Sequence, residues 1–87
     1  MSQRSSRAKR ITRRFILLFS PDFNGWLIWD RMRFRAADGW YLNREMAADV
    51  AASFEREPAR GDRDWYSKER QRDLAKVWPS LLTEDEA

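Results

Sequence analysis

The chain has 87 residues, of which 17 are Lys or Arg, 14 are Asp or Glu, and none is Cys or His. This length suits one small domain, and the missing residue types exclude disulfides, thiolate zinc sites and histidine-based acid–base catalysis. Because the apolar run at residues 15–19 is far shorter than a membrane span or a signal sequence, we expect a soluble, cytoplasmic protein that does not enter a membrane.

The basic residues are concentrated at the front of the chain. Six of the 17 lie within residues 1–14, and no acidic residue occurs before Asp22. Since the chain from Asp22 onward holds 11 basic and 14 acidic residues, the net charge of +3 comes from the front alone. Residues 1–11 contain almost nothing apolar, which predicts a disordered Arg-rich arm, followed by one domain over 12–82 and a short acidic tail over 83–87.

The first half of the domain predicts a small antiparallel sheet. The continuous apolar run at 15–19 is typical of a strand that is buried on both faces, and we expect this strand over 13–20. The pair Asn24-Gly25 favours a hairpin turn, so a second strand should fold back from Trp26.

Residues 26–36 alternate in a way that predicts one long strand. Asp30 interrupts the apolar face of this strand and can instead mark a bulge, which would divide the run into two strands and exchange the faces beyond it. Without the bulge, the faces carry Trp26, Ile28, Met32 and Phe34 on one side and Leu27, Trp29, Arg31, Arg33 and Arg35 on the other.

A third strand and a covering helix should follow. Asp38-Gly39 predicts a turn, after which residues 40–42 can return as a short strand. Asn43 is a suitable helix cap, and the apolar residues that follow it repeat at helical spacing. We therefore expect a helix over 43–56 that covers the sheet.

A second helix is expected over 63–78, beginning near Asp62 or Asp64, whose side chains suit N-caps. Residues 67–73 within it contain no apolar side chain. We expect this helix to dock only by its ends and its polar middle to be either solvated or open to a partner. The predicted fold class is α+β, with a two- or three-stranded antiparallel sheet covered by one helix and a second, C-terminal helix.

The arm and the alternating Arg residues indicate nucleic-acid binding. Cations that neutralise phosphates release counterions, and guanidinium groups beside an aromatic side chain such as Trp29 suit contacts to phosphates and bases. The arm is also typical of a solubilising terminus, and the alternating Arg residues are typical of charges that protect a strand edge. An acidic protein could also bind the arm in place of a nucleic acid. The candidate nucleic-acid-binding residues are Arg4, Arg7, Lys9, Arg10, Arg13, Arg14, Arg31, Arg33 and Arg35.

A second candidate surface lies on the C-terminal helix. Trp is enriched at the centres of protein interfaces, and two Trp residues flank a helix that has few apolar residues of its own. In so small a domain, most Trp side chains are nevertheless expected to serve the core. The candidate partner-binding residues are Trp65, Lys68, Arg70, Arg72 and Trp78.

The acidic residues and glycines do not indicate catalysis. Asp22, Asp30 and Asp38 fall at expected turns or at the bulge, and the three Gly are turn residues, not a phosphate-binding loop. We therefore expect a non-enzyme without a metal site or a cofactor.

Residues 39–54 combine the end of a hairpin, a helix cap and an Ala-rich stretch. The hairpin ends in Gly and aromatic residues at 39–42, Asn43 follows as a cap, and an Ala-rich helix runs through 44–54. This layout resembles the small strand-strand-helix accessory proteins of phages and plasmids, a size class that includes anti-CRISPR proteins, over residues 12–56. Many anti-CRISPR proteins are acidic, and the chain departs from them by its basic front. The resemblance implies a mobile-element origin and a binding role.

Three roles are therefore expected. The first is a non-enzymatic module that binds nucleic acid or a nucleoprotein through the arm. The second is a phage- or plasmid-encoded protein–protein inhibitor or adaptor, anti-CRISPR-like, that uses the C-terminal helix and exposed Trp residues. The third is an assembly protein whose arm neutralises acidic neighbours. A homodimer also stays open, because so small a sheet can complete its core with a second subunit.

Overall fold

The computed structural model describes residues 13–82, so the predicted arm (1–11) and acidic tail (83–87) lie outside the described residues. Over these described residues the fold is α+β, with a three-stranded antiparallel sheet and two α-helices, as predicted. In chain order the elements are β1 (Phe15–Ser20), β2 (Gly25–Asp30), β3 (Arg35–Ala36), α1 (Arg44–Arg56), a 3₁₀ helix at Pro58–Gly61, α2 (Lys68–Val77) and a second 3₁₀ helix at Trp78–Leu81.

Strands β1 and β2 form the predicted hairpin. Their register runs from Phe15 opposite Asp30 to Ser20 opposite Gly25. Asn24 takes the positive φ of 53° that such a tight turn requires. Gly25 is needed for a different reason, because a Cβ atom at this position would overlap the indole of Trp40.

The sheet is buried on both faces, as predicted for β1, because alternate residues of a strand point to opposite sides. On one side, beneath α1, Phe15 meets Phe54 edge to face with ring centroids 5.5 Å apart. On the other side, Trp29 stacks on Trp78 with centroids also 5.5 Å apart. The two cores consist of Phe15, Leu17, Ile28, Ala37, Ala47, Ala51 and Phe54 under α1, and of Ile16, Leu18, Leu27, Trp29, Ala36, Tyr66 and Leu74 under α2.

The long second strand predicted over 26–36 is wrong, because the chain turns after Asp30. The buried carboxylate of Asp30 accepts the backbone N–H groups of Met32 and Arg33 at 3.0 and 3.2 Å. Its carbonyl accepts the N–H of Phe34 at 2.8 Å, and Phe34 lies in the left-handed region with φ 58°. Asp30 thus divides the run, but with a tight turn and not with a bulge.

The predicted alignment of Arg31, Arg33 and Arg35 on one strand face is therefore wrong as well. Arg31 and Arg33 lie in the turn, and only Arg35 lies in a strand. Met32 and Phe34, predicted on the apolar face of the sheet, are exposed. The turn gathers these side chains at one corner of the domain.

The third strand forms earlier in the chain than predicted, at Arg35–Ala36. Of the predicted strand at 40–42, only Tyr41 takes part, through a two-hydrogen-bond backbone bridge to Trp26 with N···O distances of 2.7 and 2.9 Å. On the opposite edge of the sheet, Leu82 forms a bridge to Leu18. Both bridges extend a sheet whose third strand is very short.

Helix α1 matches its prediction, and α2 begins later than predicted. Asn43 caps α1 by accepting the N–H of Met46 at 2.9 Å. The cap of α2 is Ser67, whose hydroxyl accepts the N–H of Arg70 at 3.1 Å. The predicted caps at Asp62 or Asp64 are wrong, because both carboxylates bind Arg side chains of the sheet region instead.

Gln71, in the polar middle of α2, docks on the sheet, contrary to the prediction that this helix docks only by its ends, whereas the other residues of 67–73 are exposed as expected. The amide oxygen of Gln71 accepts the N–H of Ala36 at 2.8 Å, and the amide nitrogen of Gln71 donates to the Ala36 carbonyl at 2.9 Å. Gln71 thereby takes the place of a neighbouring strand at the open edge of β3. Tyr66 and Leu74 supply buried contacts on either side of it, as expected for the ends of this helix.

Candidate nucleic-acid interface

Arg14 binds Asp30 where the chain enters the sheet. Two hydrogen bonds join the guanidinium to the carboxylate, at 2.8 Å from Nε and 2.9 Å from Nη2. Burial would raise the pKa of Asp30, but the bonds from Arg14 and from the backbone N–H groups of Arg33 and Met32 outweigh burial and hold that pKa below its ordinary value. The hydrogen bond to Asp30 also raises the pKa of Arg14. Arg14, a candidate nucleic-acid-binding residue, therefore has a structural role, because it pairs with the buried carboxylate at the end of β2.

Arg31 lies against the first described residues of the chain. Its backbone N–H donates to the carbonyl of Arg14 at 2.8 Å, and its guanidinium Nη1 donates to the carbonyl of Arg13 at 3.1 Å. Both Arg13 and Arg31 are exposed. The turn after β2 therefore places a second cation beside the point where residues 1–12 join the domain.

Two exposed apolar side chains lie in the same turn. Met32 is 76% exposed and Phe34 is 54% exposed. The ring of Phe34 meets Trp29 and Trp78 edge to face, with centroids 5.4 and 6.3 Å away, so it is held in place while one side stays open. We call the surface formed by Arg13, Arg31, Met32, Arg33 and Phe34 the arm-root corner.

Arg33 and Arg35 form ion pairs with the segment between the first 3₁₀ helix and α2. Arg33 binds Asp62 at 2.7 Å, and Arg35 binds Asp64 at 2.9 Å. The Arg33 and Asp62 side chains are both exposed, and such pairs contribute only about 0–1 kcal/mol. A backbone phosphate of a nucleic acid can therefore replace the carboxylate of Asp62 at little cost.

No protein-family model, curated protein or solved structure matches the chain. Its function is therefore inferred from the chemistry of its surface. Within residues 13–82, no group of carboxylate side chains is placed to hold a metal ion. In the same part of the chain, no helix has the length and apolar character to cross a membrane.

The two Trp residues predicted to bind a partner have different environments. Trp78 is half-buried and stacks on Trp29, so it belongs mainly to the core. Trp65 is 60% exposed. They flank α2, whose ten residues span about 15 Å, and the structure does not bring them together.

The three cations predicted to bind a partner lie exposed on α2. The Arg70 guanidinium lies over the ring of Phe23 at 4.6 Å from the centroid, a cation–π contact with the hairpin turn. Lys68 lies at the start of the helix next to Ser67, and Arg72 lies beside Gln71. None of these three cations is among the residues of the arm-root corner.

Sequence reasoning missed the apolar part of the corner. Alternation placed Met32 and Phe34 on the buried face of a strand, whereas both are exposed in a turn. The signal that could have found them was Asp30, because an Asp side chain readily bonds the backbone N–H groups two and three residues ahead and starts a turn.

Proposed function

We propose that the protein is a non-enzymatic module that binds nucleic acid, alone or in a nucleoprotein, through the Arg-rich arm and the arm-root corner together. The observation that supports this most directly is the pair of bonds from Arg31 to the backbone of Arg13 and Arg14. These bonds involve residues only two and three positions after residue 11, at which the predicted arm ends. The cations that precede this point in the sequence are Arg4, Arg7, Lys9 and Arg10.

The charge at the corner is suited to a polyanion. The carboxylate of Asp30 is neutralised by Arg14 and buried, so it does not repel an approaching phosphate. The carboxylate of Asp62, which binds Arg33, is exposed and easily displaced. Phosphates that bind here release counterions from the nucleic acid, which favours association at low salt.

The apolar side chains of the corner add a contact that charge alone does not supply. An exposed aromatic ring is a platform for stacking bases, and Met or Phe side chains can also insert between base steps. Phe34 is held by Trp29 and Trp78, so little freedom of the ring is lost on binding. The corner thus combines phosphate-binding cations with a surface for bases.

The arm is tested by the salt dependence of binding. A fluorescein-labelled oligonucleotide is titrated with the full chain and with a variant that lacks residues 1–11, between about 50 and 200 mM salt. We expect the affinity of the full chain to fall steeply with salt. The slope of the variant should decrease by about 0.9 for each phosphate that the shortened chain no longer neutralises. Binding that is independent of salt or of the arm contradicts the proposal.

A second candidate function is a protein–protein inhibitor or adaptor of the anti-CRISPR kind, which the exposure of Trp65 favours. Trp is often a binding hot spot, and the nearby cations of α2 would suit an acidic partner. A pull-down from a nuclease-treated bacterial lysate should then recover a protein in stoichiometric amount with the full chain, but not with Trp65→Ala or Arg70→Glu. Recovery that is equal with all three baits contradicts this function.

A further inference from the structure

A cavity of about 470 Å³ opens on the α2 side of the sheet, close to the arm-root corner. Its walls include Arg35, Asp64, Trp65, Lys68 and Gln71. This volume lies in the range of small-molecule sites and suffices for a single nucleobase with its sugar and phosphate. The Gln71 wall is fixed by its two bonds to β3, whereas the Trp65 wall is open.

Trp65 differs from the other Trp residues of the domain. All five Trp lie within residues 13–82, and Trp65 is the exposed one, while the remaining four are buried or half-buried. A Trp that is 60% exposed contributes little to the core, and Trp65 lines the cavity. An indole has a broad apolar face. Such a face suits the stacking of a planar ring.

Two cations line the same cavity. The side chain of Arg35 is 28% exposed and binds Asp64, whose own side chain is 88% exposed. Because Asp64 is almost fully solvated, its bond to Arg35 is weak, and a phosphate can compete for the guanidinium. Lys68 is exposed on the neighbouring wall. An aromatic wall beside two cations has the chemistry of a nucleotide site.

The cavity is continuous with the arm-root corner along the chain. Arg33 belongs to the corner and Arg35 lines the cavity, and their α-carbons lie at most about 7 Å apart. Arg33 binds Asp62 and Arg35 binds Asp64, so both guanidinium groups face the segment between the first 3₁₀ helix and α2. A strand of nucleic acid that binds Arg33 is therefore within reach of Arg35.

We propose that the cavity holds one unstacked nucleobase against Trp65, with its phosphate on Arg35 and Lys68. This inference rests on the proposed function and names its ligand as single-stranded nucleic acid. In a duplex, the bases are paired and stacked, so none can lie flat on the indole without being extruded. A single strand presents its bases freely.

The test measures affinity by fluorescence anisotropy with a labelled homothymidine strand of about 15 nucleotides and with the corresponding duplex. Trp65→Ala should lower the affinity for the single strand about tenfold, and Trp65→Phe should keep most of it because Phe still stacks. The control is Met46→Ala, which removes an exposed apolar side chain from α1 on the other side of the sheet. Circular dichroism checks that every variant is folded.

A third variant, Asp64→Asn, has the opposite expected effect. It removes the carboxylate that competes for Arg35, and we expect tighter binding of the single strand, by up to about fivefold. This gain of affinity cannot result from damage to the fold.

The outcomes separate the two proposals. If the full chain binds the single strand at low salt but Trp65→Ala and Asp64→Asn bind as the unaltered chain does, the cavity is not a base site and the proposed function stands. Equal affinity for duplex and single strand also overturns the cavity proposal. If the full chain binds neither probe at low salt, the proposed function fails and the cavity proposal fails with it.

Discussion

The side chain of Gln71 satisfies both backbone groups of Ala36 and so closes the open edge of β3, 35 residues away in the chain. Ala36 is fully buried, so water cannot readily replace these two bonds. A two-residue strand would otherwise have little to hold it in the sheet. The Gln71 side chain therefore joins α2 to the edge of the sheet through two hydrogen bonds.

Replacement of Gln71 by Ala should destabilise the domain by about 1–3 kcal/mol, because two buried backbone groups lose their partners. Urea denaturation monitored by Trp fluorescence measures the loss. The matched control is Arg72→Ala at the next, exposed position, which should change the free energy of unfolding by less than about 0.5 kcal/mol. Equal effects of the two substitutions would show that the Gln71 bonds do not hold the edge.

Replacement of Asp30 by Asn should cost about 2–4 kcal/mol at neutral pH, since it leaves the Arg14 guanidinium without its buried partner. The Asn side chain can still accept the N–H groups of the turn, so the turn after β2 should persist. The free energy of unfolding from urea titrations gives the size of the loss. A loss no larger than that of an exposed Asp73→Asn substitution contradicts this role of the pair.

Acid should weaken the domain through the same carboxylate. The folded-state pKa of Asp30 lies below its unfolded value, so its contribution to stability is present above about pH 4 and is lost as the pH falls through the folded pKa. Urea midpoints measured from neutral pH down to about pH 2 should fall more steeply for the unaltered chain than for Asp30→Asn. Parallel curves would mean that the Asp30 carboxylate does not drive the acid response.

Alkaline conditions should weaken the domain through Tyr66. Its hydroxyl donates to the carbonyl of Gly39 at 2.6 Å, and burial raises its pKa above the ordinary value. The folded state therefore favours the neutral phenol, and stability is present below about pH 10 and lost as the pH rises further. In thermal melts, Tyr66→Phe should lose less stability at alkaline pH than the unaltered chain. A smaller alkaline loss should remain because burial also raises the pKa of Tyr41. An unchanged alkaline loss contradicts the assignment.

Removal of the carboxylate that pairs with Arg33 should strengthen nucleic-acid binding. Asp62→Asn leaves the guanidinium of the arm-root corner available to a phosphate, so we expect higher affinity and a salt slope that is steeper by about 0.9. Anisotropy titrations at several salt concentrations measure both quantities. Asp73→Asn removes the same charge from α2, and an equal gain in that control would mean that only net charge matters.

The elements that could be predicted from the sequence are those with local signals. β1 is a continuous apolar run, the hairpin has Asn24-Gly25, and α1 has both a cap at Asn43 and an apolar stripe. In each case the residues that decide the structure are neighbours in the chain. Their preferences agree with the final fold, and the predictions were confirmed.

The elements that could not be predicted depend on distant partners. The Asp30 carboxylate is stable in a buried position because Arg14 pairs with it across the sheet, and alternation alone could not reveal this. Asp62 and Asp64 look like helix caps until the Arg residues that bind them are known. The arm-root corner depends on these contacts. Its cations could be predicted from the sequence, but the turn that exposes Met32 and Phe34 beside them could not.

The arm and the arm-root corner should bind one nucleic acid together, which the salt dependence of binding by Arg31→Glu tests most directly. This exposed residue is compared with Arg70→Glu, an equal charge reversal beside Phe23 in the hairpin turn, at the opposite end of β1 from Arg14. We predict that Arg31→Glu lowers the affinity for the labelled single strand and flattens the slope against salt by at least about 0.7, while Arg70→Glu has little effect. The same affinity and slope for both variants would contradict joint binding by the arm and the corner.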